Sequence, residues 1–464
     1  MTITRRGFTA TSIAALALGG WARLGSAQAG DSYRNEVPGY GPLKADPAGY
    51  FDLPEGFSYR VLAKAGEVMD DGFIAPDNFD GMGCFALPDG KLALVRNHEL
   101  SLGSEAKGPA GKDAALEARL AAATPFDRGQ GGRVLPGGTT TLVLDARGEK
   151  VLRQHLSLAG TSTNCAGGVT PWGSWLTCEE TVVAAPRTGT SHGWVFEVPA
   201  AATGLVAPVP LKAMGRFRHE AAAVDPRTGI IYQTEDQDDG LFYRFIPKVP
   251  GKLAEGGKLQ ALALVDGHRD SRNWNGADFA PRSTRAVRWI DLADVENPKD
   301  DLRQRGHAAG GVRFARGEGI HLGRRPRGGV EFFFTCTSGG LGRYGQIMRY
   351  VPSPVEGKPG EAKRPGRLEL FHESTDPQLM DYADNLTVAP WGHLIVCEDR
   401  TGSKINHLRG VTPDGRTYTL ARLNADTELA GACFSPDGKT LFVNAYAPGR
   451  TLAITGPWDA LRAS

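Results

Sequence analysis

Six stretches of the chain repeat one alternation of polar and apolar positions. Each opens on polar residues, runs through a short apolar strand, turns at Pro and Gly, continues through a second strand of β-formers and closes on polar residues. They are DGMGCFALPDGKLALVRNHE (80–99), NCAGGVTPWGSWLTCEE (164–180), HEAAAVDPRTGIIYQTED (219–236), RGEGIHLGRRPRGGVEFFFTCTS (316–338), DNLTVAPWGHLIVCED (384–399) and ELAGACFSPDGKTLFVNAY (428–446). The turns read PDG, PWG, PRTG, PRGG, PWG and PDG. Proline sets φ at the first corner and glycine accepts φ > 0 at the second, so each stretch predicts a tight hairpin. Outer strands such as HGWVFEVP, LFYRFIP and GQIMRYVP follow several of them. The pattern predicts an all-β fold, a six-bladed β-propeller, with a β-sandwich or two stacked barrels as its rival. The segments near 100–136 and 250–310, rich in Arg, Ala, Gly and Asp, are expected to be inserted loops with short helices that roof the central channel.

In a propeller the innermost strand of each blade lines the channel, and the hairpin returns the chain to the face it left. Residues that begin the first strand and end the second should therefore meet at one mouth. This brings Cys165 beside Glu179 and Glu180, and adds Asn97, His98, Glu99, His219, Glu220, Glu235, Asp236, Arg316, Glu318, Asp384, Asn385, Glu398 and Asp399. Any single acidic pair ending a strand is ordinarily a solvated turn. Its recurrence as NHE, CEE, TED and CED at one hairpin position calls for another account of the set. Crowded carboxylates repel and are costly to bury unpaired, so cations are expected among them. Oxygen donors suit Ca²⁺, and a thiolate points to a transition metal such as iron. Cys84, Cys178, Cys397 and Cys433 read as core residues, Cys336 gives no signal, and His268, His307, His321, His372 and His407 read as surface residues at loops or strand edges.

Composition narrows the class. The chain has 464 residues, 41% hydrophobic and 23% charged, with a formal net charge of +1. That balance suits a soluble globular protein and gives no basis for nucleic-acid binding. Arg5-Arg6, a weakly apolar run and Ala27-Gln28-Ala29 predict a twin-arginine export signal over 1–29, leaving 30–464 as a single β-propeller domain. The expected location is periplasmic or secreted, with the twin-arginine export machinery as a partner and no stable membrane insertion. The six cysteines lack CxxC spacing, so few or no disulfides are expected. No GxSxG, Walker, HExxH or zinc-type CxxC motif offers another chemistry.

NCAGGVTPWGSWLTCEE, RFRHEAAAVDPRTGIIYQTEDQDDGLFYRFIP, FARGEGIH, DNLTVAPWGHLIVCED and LAITGPW together resemble the PhoX-type alkaline phosphatase family, over about Asn97 to Trp458. The resemblance implies a propeller phosphatase that holds an Fe³⁺ pair and several Ca²⁺ ions and acts on small-molecule phosphate monoesters; a monomer is expected. Carried over by position, Arg316, Glu318 and Cys165 form the catalytic set. Cys165 and Glu318 would bind iron and Arg316 phosphate, with Glu220 as the other iron-side carboxylate and Glu235 as its rival. Glu179, Glu180, Asp236, Asp384, Asn385 and Glu398 would serve the calcium ions or orient their ligands. One departure stands out: FVNAYAPGR replaces the Gln-His that the family carries before Pro-Gly. The residues alone leave open a calcium-dependent lactonase-like hydrolase and a non-catalytic, calcium-stabilised binding propeller.

Overall fold

The computed structural model describes residues 32–326, 328–400 and 405–461, and the expected export signal at 1–29 lies outside them. All six hairpins form as antiparallel pairs: Phe79–Ala86 with Leu92–His98, Asn164–Val169 with Ser174–Glu179, His219–Val224 with Ile231–Glu235, Gly317–Arg324 with Val330–Cys336, Ala383–Val388 with Leu394–Glu398, and Leu429–Phe434 with Thr440–Ala445. The turn glycines Gly90, Gly173, Gly229, Gly392 and Gly438 have φ of 80°, 84°, 75°, 91° and 70°, the left-handed conformation that Gly adopts at no steric cost.

Each first strand neighbours the next around a closed ring, and the sixth returns to the first. The arrangement is all-β and propeller-like. Hydrogen bonding, however, groups the strands into five sheets, of six, three, nine, four and four strands, where six separate blades were expected. The difference has a local cause in the segment 250–310, which contributes the strands Gly257–Leu264 and Thr284–Asp291. The second of these pairs with Arg367–Glu373, Thr284 opposite Glu369, and so joins the sheets of the third and fourth hairpins at their outer edges. The same segment carries the helix Leu302–Ala308. The segment 100–136 carries the helix Ala114–Ala122, whose first amides, from Ala115 and Leu116, donate to the Asp113 carboxylate at 2.8 and 3.1 Å; this is a side-chain N-cap.

The amino-terminal part of the described chain closes the ring. Ser58–Lys64 pairs with Arg450–Thr455 in the sheet of the sixth hairpin, and Phe51–Pro54 pairs with Thr417–Leu423 in that of the fifth. Between sheets the core is aromatic and aliphatic; Phe242 of the third sheet region stacks on Phe334 of the fourth, with ring centroids 4.4 Å apart. At the axis the first strands touch backbone to backbone. A Cβ on Gly81 would lie 2.5 Å from Ala166 Cα, and one on Gly319 would lie 2.8 Å from Asn385 Cα, so only Gly fits. Below this constriction runs a narrow apolar channel of about 70 Å³, lined in part by Gly167, Val224, Ile320, Leu386 and Ala432. All six cysteines are free, and Cys178, Cys336, Cys397 and Cys433 are buried in the sheet-to-sheet cores. Among the described residues no helix is long and apolar enough to cross a membrane.

Candidate metal centre

The same irregularity interrupts every first strand. The register shifts between Phe79 and Met82, Asn164 and Gly167, His219 and Ala222, Gly317 and Ile320, Ala383 and Leu386, and Ala430 and Cys433. A β-bulge breaks the alternation of side chains and re-aims the residue within it. The re-aimed residues are Asp80, Cys165, Glu220, Glu318 and Asp384 in the first five hairpins. In the sixth, Leu429 pairs with Ala445 and the Tyr446 amide donates to the Glu428 carbonyl, which puts Ala430 at the equivalent place. Just before the strands, Asn78, Thr163, Arg316 and Tyr382 have φ of 51°, 54°, 57° and 54°. Left-handed backbone at non-glycine residues is costly and collects at functional sites.

A second tier comes from the residues that leave the second strands. The amides of Glu99, Glu180, Asp236, Thr337, Asp399 and Tyr446 donate to the carbonyls of Asn78, Thr163, Arg218, Arg316, Tyr382 and Glu428. The two tiers converge. Ligand atoms of Glu99, Cys165 and Glu180 lie within 4.8 Å of one another, as do those of Asp80, Glu99 and Glu428 and those of Glu220, Glu318 and Asp384. The Cys165 thiol donates to Asp80 Oδ2 at 3.6 Å. Arg316 sets Nε against Asp236 Oδ1 at 2.7 Å and Nη2 against Asp236 Oδ2 and Glu318 Oε1 at 3.1 and 2.8 Å, while its Nη1 has no protein hydrogen bond among the described residues.

The ring is electrostatically strained. Burial, with Glu99, Glu220 and Asp384 nearby, pushes Asp80 well above the usual carboxylate range. Burial, with Asp236 and its other acidic neighbours, does the same to Glu180 and Glu318, and burial with Asp384 and Asp236 does it to Glu220. Burial and Asp399 raise Asp384 to about 8, and burial raises Glu99 to about 7. Burial pushes the Cys165 thiol up as well. Against this, the Arg316 guanidinium is held charged chiefly by Glu318. Glu220 Oε2 and Asp384 Oδ1 are buried without any hydrogen-bond partner. Carboxylate oxygens withdrawn from water and left unpaired cost free energy unless something charged meets them, so the donor set fits cations.

Several expected ligands lie elsewhere. In each acidic pair the first residue is still within the strand and turns into the blade, whereas the second reaches the mouth. Glu179 accepts from the amides of Ser162, Gly193 and Trp194 at 2.9, 2.9 and 3.2 Å and pairs with His192 Nδ1 at 2.6 Å. Glu235 accepts from the Tyr243 hydroxyl at 2.6 Å and the Leu241 amide at 3.2 Å. Glu398 lies 2.7 Å from both Arg409 Nε and His407 Nδ1. Burial raises its carboxyl, but Arg409 and His407 outweigh it and leave Glu398 at about 2. These three brace the blades. Asn385, one residue past the re-aimed Asp384, lines the apolar channel. Asn97 clamps the strand beneath the ring, donating to the carbonyls of Cys165 and Ala166 at 2.9 and 2.8 Å. His98 is buried and bonded to Thr140 at 2.8 Å, and His219 is buried against the Gly215 carbonyl at 2.9 Å. His407 and His372 are buried, not at the surface.

Asp80 and Glu428 were not singled out from the sequence. Their signal was present, since each opens a repeat, but their neighbours Gly81 and Leu429 lack the paired-acid signature. Glu99, which takes part in two of the convergent donor groups, and Asp399 belong to the second tier, whereas Glu179, Glu235 and Glu398 do not. Tyr446, in the departing FVNAYAPGR motif, donates its hydroxyl to the Glu99 carboxylate and accepts from Asn78 Nδ2 at 2.6 Å; the sixth hairpin thus offers a hydroxyl where others offer acids.

A structural consequence can be measured. Glu398, Arg409 and His407 are all 0% exposed, and removing one partner leaves an uncompensated buried charge worth ~3–5 kcal/mol. Glu398→Gln is expected to lower unfolding free energy in urea by about that amount and to leave the metal content of the folded protein unchanged. A loss of bound metal without loss of stability would return Glu398 to the ligand set.

No curated protein sequence matches the chain. The structure of PhoX from Pseudomonas fluorescens, solved with vanadate, a transition-state analogue, is similar with a TM-score of 0.65 at 20% identity, covering 92% of this chain and 98% of that one. A gluconolactonase from Xanthomonas campestris aligns over 90% of this chain and 98% of its own, with a TM-score of 0.42 at 10% identity. The first likeness shows the fold, and the second is too loose to carry weight. Both tiers of the ring up to Tyr446, with Arg316 among them, fall inside residues 38–449, which match the family described as Alkaline phosphatase PhoX, and the chain belongs to that family.

Proposed function

We infer that this metal-dependent phosphatase hydrolyses phosphate monoesters at the ring formed by Asp80, Cys165, Glu220, Glu318 and Asp384, with Glu99, Glu180, Asp236 and Arg316 around it. The observation that supports this most is the shared bulge, which aims one donor from each of five hairpins at a single mouth. We read the nine-stranded sheet as two blades fused at their edges, so that the six inner strands are those of a six-bladed propeller. Glu220 and Glu318, which the resemblance assigns to iron beside Cys165, group here with Asp384 and not with the thiol; the three supply only oxygens, and on that ground we assign them to Ca²⁺. The Glu99, Cys165 and Glu180 group includes a thiolate donor and suits Fe³⁺. Bound there, such ions would neutralise the phosphoryl oxygens and act as Lewis acids on phosphorus.

The chain's own groups do the positioning. Phosphoryl transfer needs alignment and charge neutralisation more than covalent help from side chains. Asp236 and Glu318 hold three of the contacts of Arg316 and fix its plane, leaving Nη1 to donate to a non-bridging phosphate oxygen. The apolar channel beneath the ring leaves the mouth as the approach for substrate and keeps a low dielectric behind the charges, which strengthens them. Tyr446 holds the Glu99 carboxylate in place. Folding and cofactor loading before export would fit the twin-arginine signal read in the sequence.

The test pairs activity with metal content. Protein loaded with Ca²⁺ and Fe³⁺ is expected to hydrolyse p-nitrophenyl phosphate and not a γ-lactone. Cys165→Ser is expected to lose bound iron and its visible absorption while retaining calcium. Lactone turnover without phosphatase activity would refute the reading, and full iron retention by Cys165→Ser would remove Cys165 from the ligand set.

A further inference from the structure

A loop tied to the backbone around two ring residues carries an arginine that the ring does not use. Thr337 leaves the fourth hairpin with its amide bonded to the Arg316 carbonyl at 3.0 Å, and the carbonyl of Tyr344 accepts from the Tyr382 amide at 3.0 Å. Tyr382 is the left-handed residue two positions before Asp384. The loop between, residues 338–344, is therefore fixed at both ends to the backbone that presents Arg316 and Asp384. Trp274, from the segment 250–310, packs on this loop and donates its indole Nε1–H to the Ser338 carbonyl at 2.6 Å.

Two guanidinium groups lie over that indole, Arg272 at 4.2 Å and Arg343 at 4.3 Å from the ring centroid. They differ in what they have left to offer. Arg272 is held by both oxygens of Asp270, at 2.8 and 2.5 Å. Arg343 is exposed, sits at φ 56°, and enters no ion pair among the described residues. A guanidinium oriented by stacking, with its donors open to solvent on a loop tied to the backbone of Arg316 and to Tyr382 just before Asp384, is arranged to take an oxyanion. We infer that Arg343 receives a second oxyanion on the alcohol side of the ester, so that the preferred substrates are phosphate monoesters that also carry a carboxylate or another phosphate. This rests on the phosphatase reading and narrows its substrate class.

Three esters separate the possibilities: glycerol 3-phosphate, 3-phosphoglycerate, which adds a carboxylate, and propane-1,3-diyl bisphosphate, which adds a phosphate. A charge-assisted contact is expected to favour one or both of the last two by about 10-fold in kcat/KM. Arg343→Ala should abolish that preference through KM while glycerol 3-phosphate turnover is unchanged, and Arg343→Lys should restore part of it. The carboxylate and bisphosphate arms show which oxyanion is read. An equal preference in wild type and Arg343→Ala would overturn the inference and leave the phosphatase reading intact. No hydrolysis of any of the three by the metal-loaded protein would overturn both.

Discussion

Arg316→Ala is expected to reduce kcat/KM on p-nitrophenyl phosphate by about 10³, the lower range for an arginine that stabilises phosphoryl-transfer charge. The expectation follows from where its donors go. Asp236 and Glu318 hold Nε and Nη2, so the side chain cannot swing away, and Nη1 remains for phosphate. Arg316→Lys keeps a charge but loses the planar pair of contacts to Asp236, and should recover only part of the rate. A thermal melt of each variant separates catalysis from folding, since Arg316 also offsets the acids beside it. Normal kinetics in a folded Arg316→Ala protein would reduce Arg316 to a counterion.

Stripping divalent and trivalent cations with a chelator is expected to abolish activity and to lower Tm by on the order of 10 °C. An ion at a thousand times its Kd contributes ~4 kcal/mol to the folded state, and more than one ion is at stake. The stripped protein should also become less stable as pH rises. Glu99 and Asp384 stand at about 7 and about 8 in the folded chain, raised above their ordinary values of 4.5 and 3.8. A carboxyl raised by folding binds its proton more tightly in the folded state. Its contribution is complete below about pH 4 and is lost as pH climbs through 7 and 8. Melts of chelated protein at pH 5 and pH 8.5 should therefore diverge, with the lower Tm at the higher pH, and added calcium should close the gap. A pH-independent Tm for the chelated protein would show that the acids are not crowded.

Much of this was legible in the sequence because hairpins are local. Pro-Gly turns and short apolar runs located all six, and the polar ends announced that one mouth would collect Cys165, Glu180, Glu220, Asp236, Arg316, Glu318 and Asp384. The rest left no such mark. Which member of Glu179-Glu180, Glu235-Asp236 or Glu398-Asp399 faces the mouth depends on where the strand ends, and a one-residue error reverses the choice. The bulge that re-aims Asp80 beside Gly81 leaves no mark in composition. The buried partners His192, Tyr243 and Arg409, which claim Glu179, Glu235 and Glu398, come from neighbouring strands or connecting loops. The joining of two sheets through Thr284–Asp291 is likewise a contact between distant segments, hidden in a stretch whose charged and glycine-rich composition reads as loop.

The most direct measurement is a crystal structure of the metal-loaded protein with anomalous scattering recorded on both sides of the iron edge and at a wavelength sensitive to calcium. The account predicts an iron signal beside Cys165 Sγ and calcium signals against the oxygens of Glu220, Glu318 and Asp384. Ions bound only at the outer surface, with these side chains meeting one another through shared protons, would contradict it.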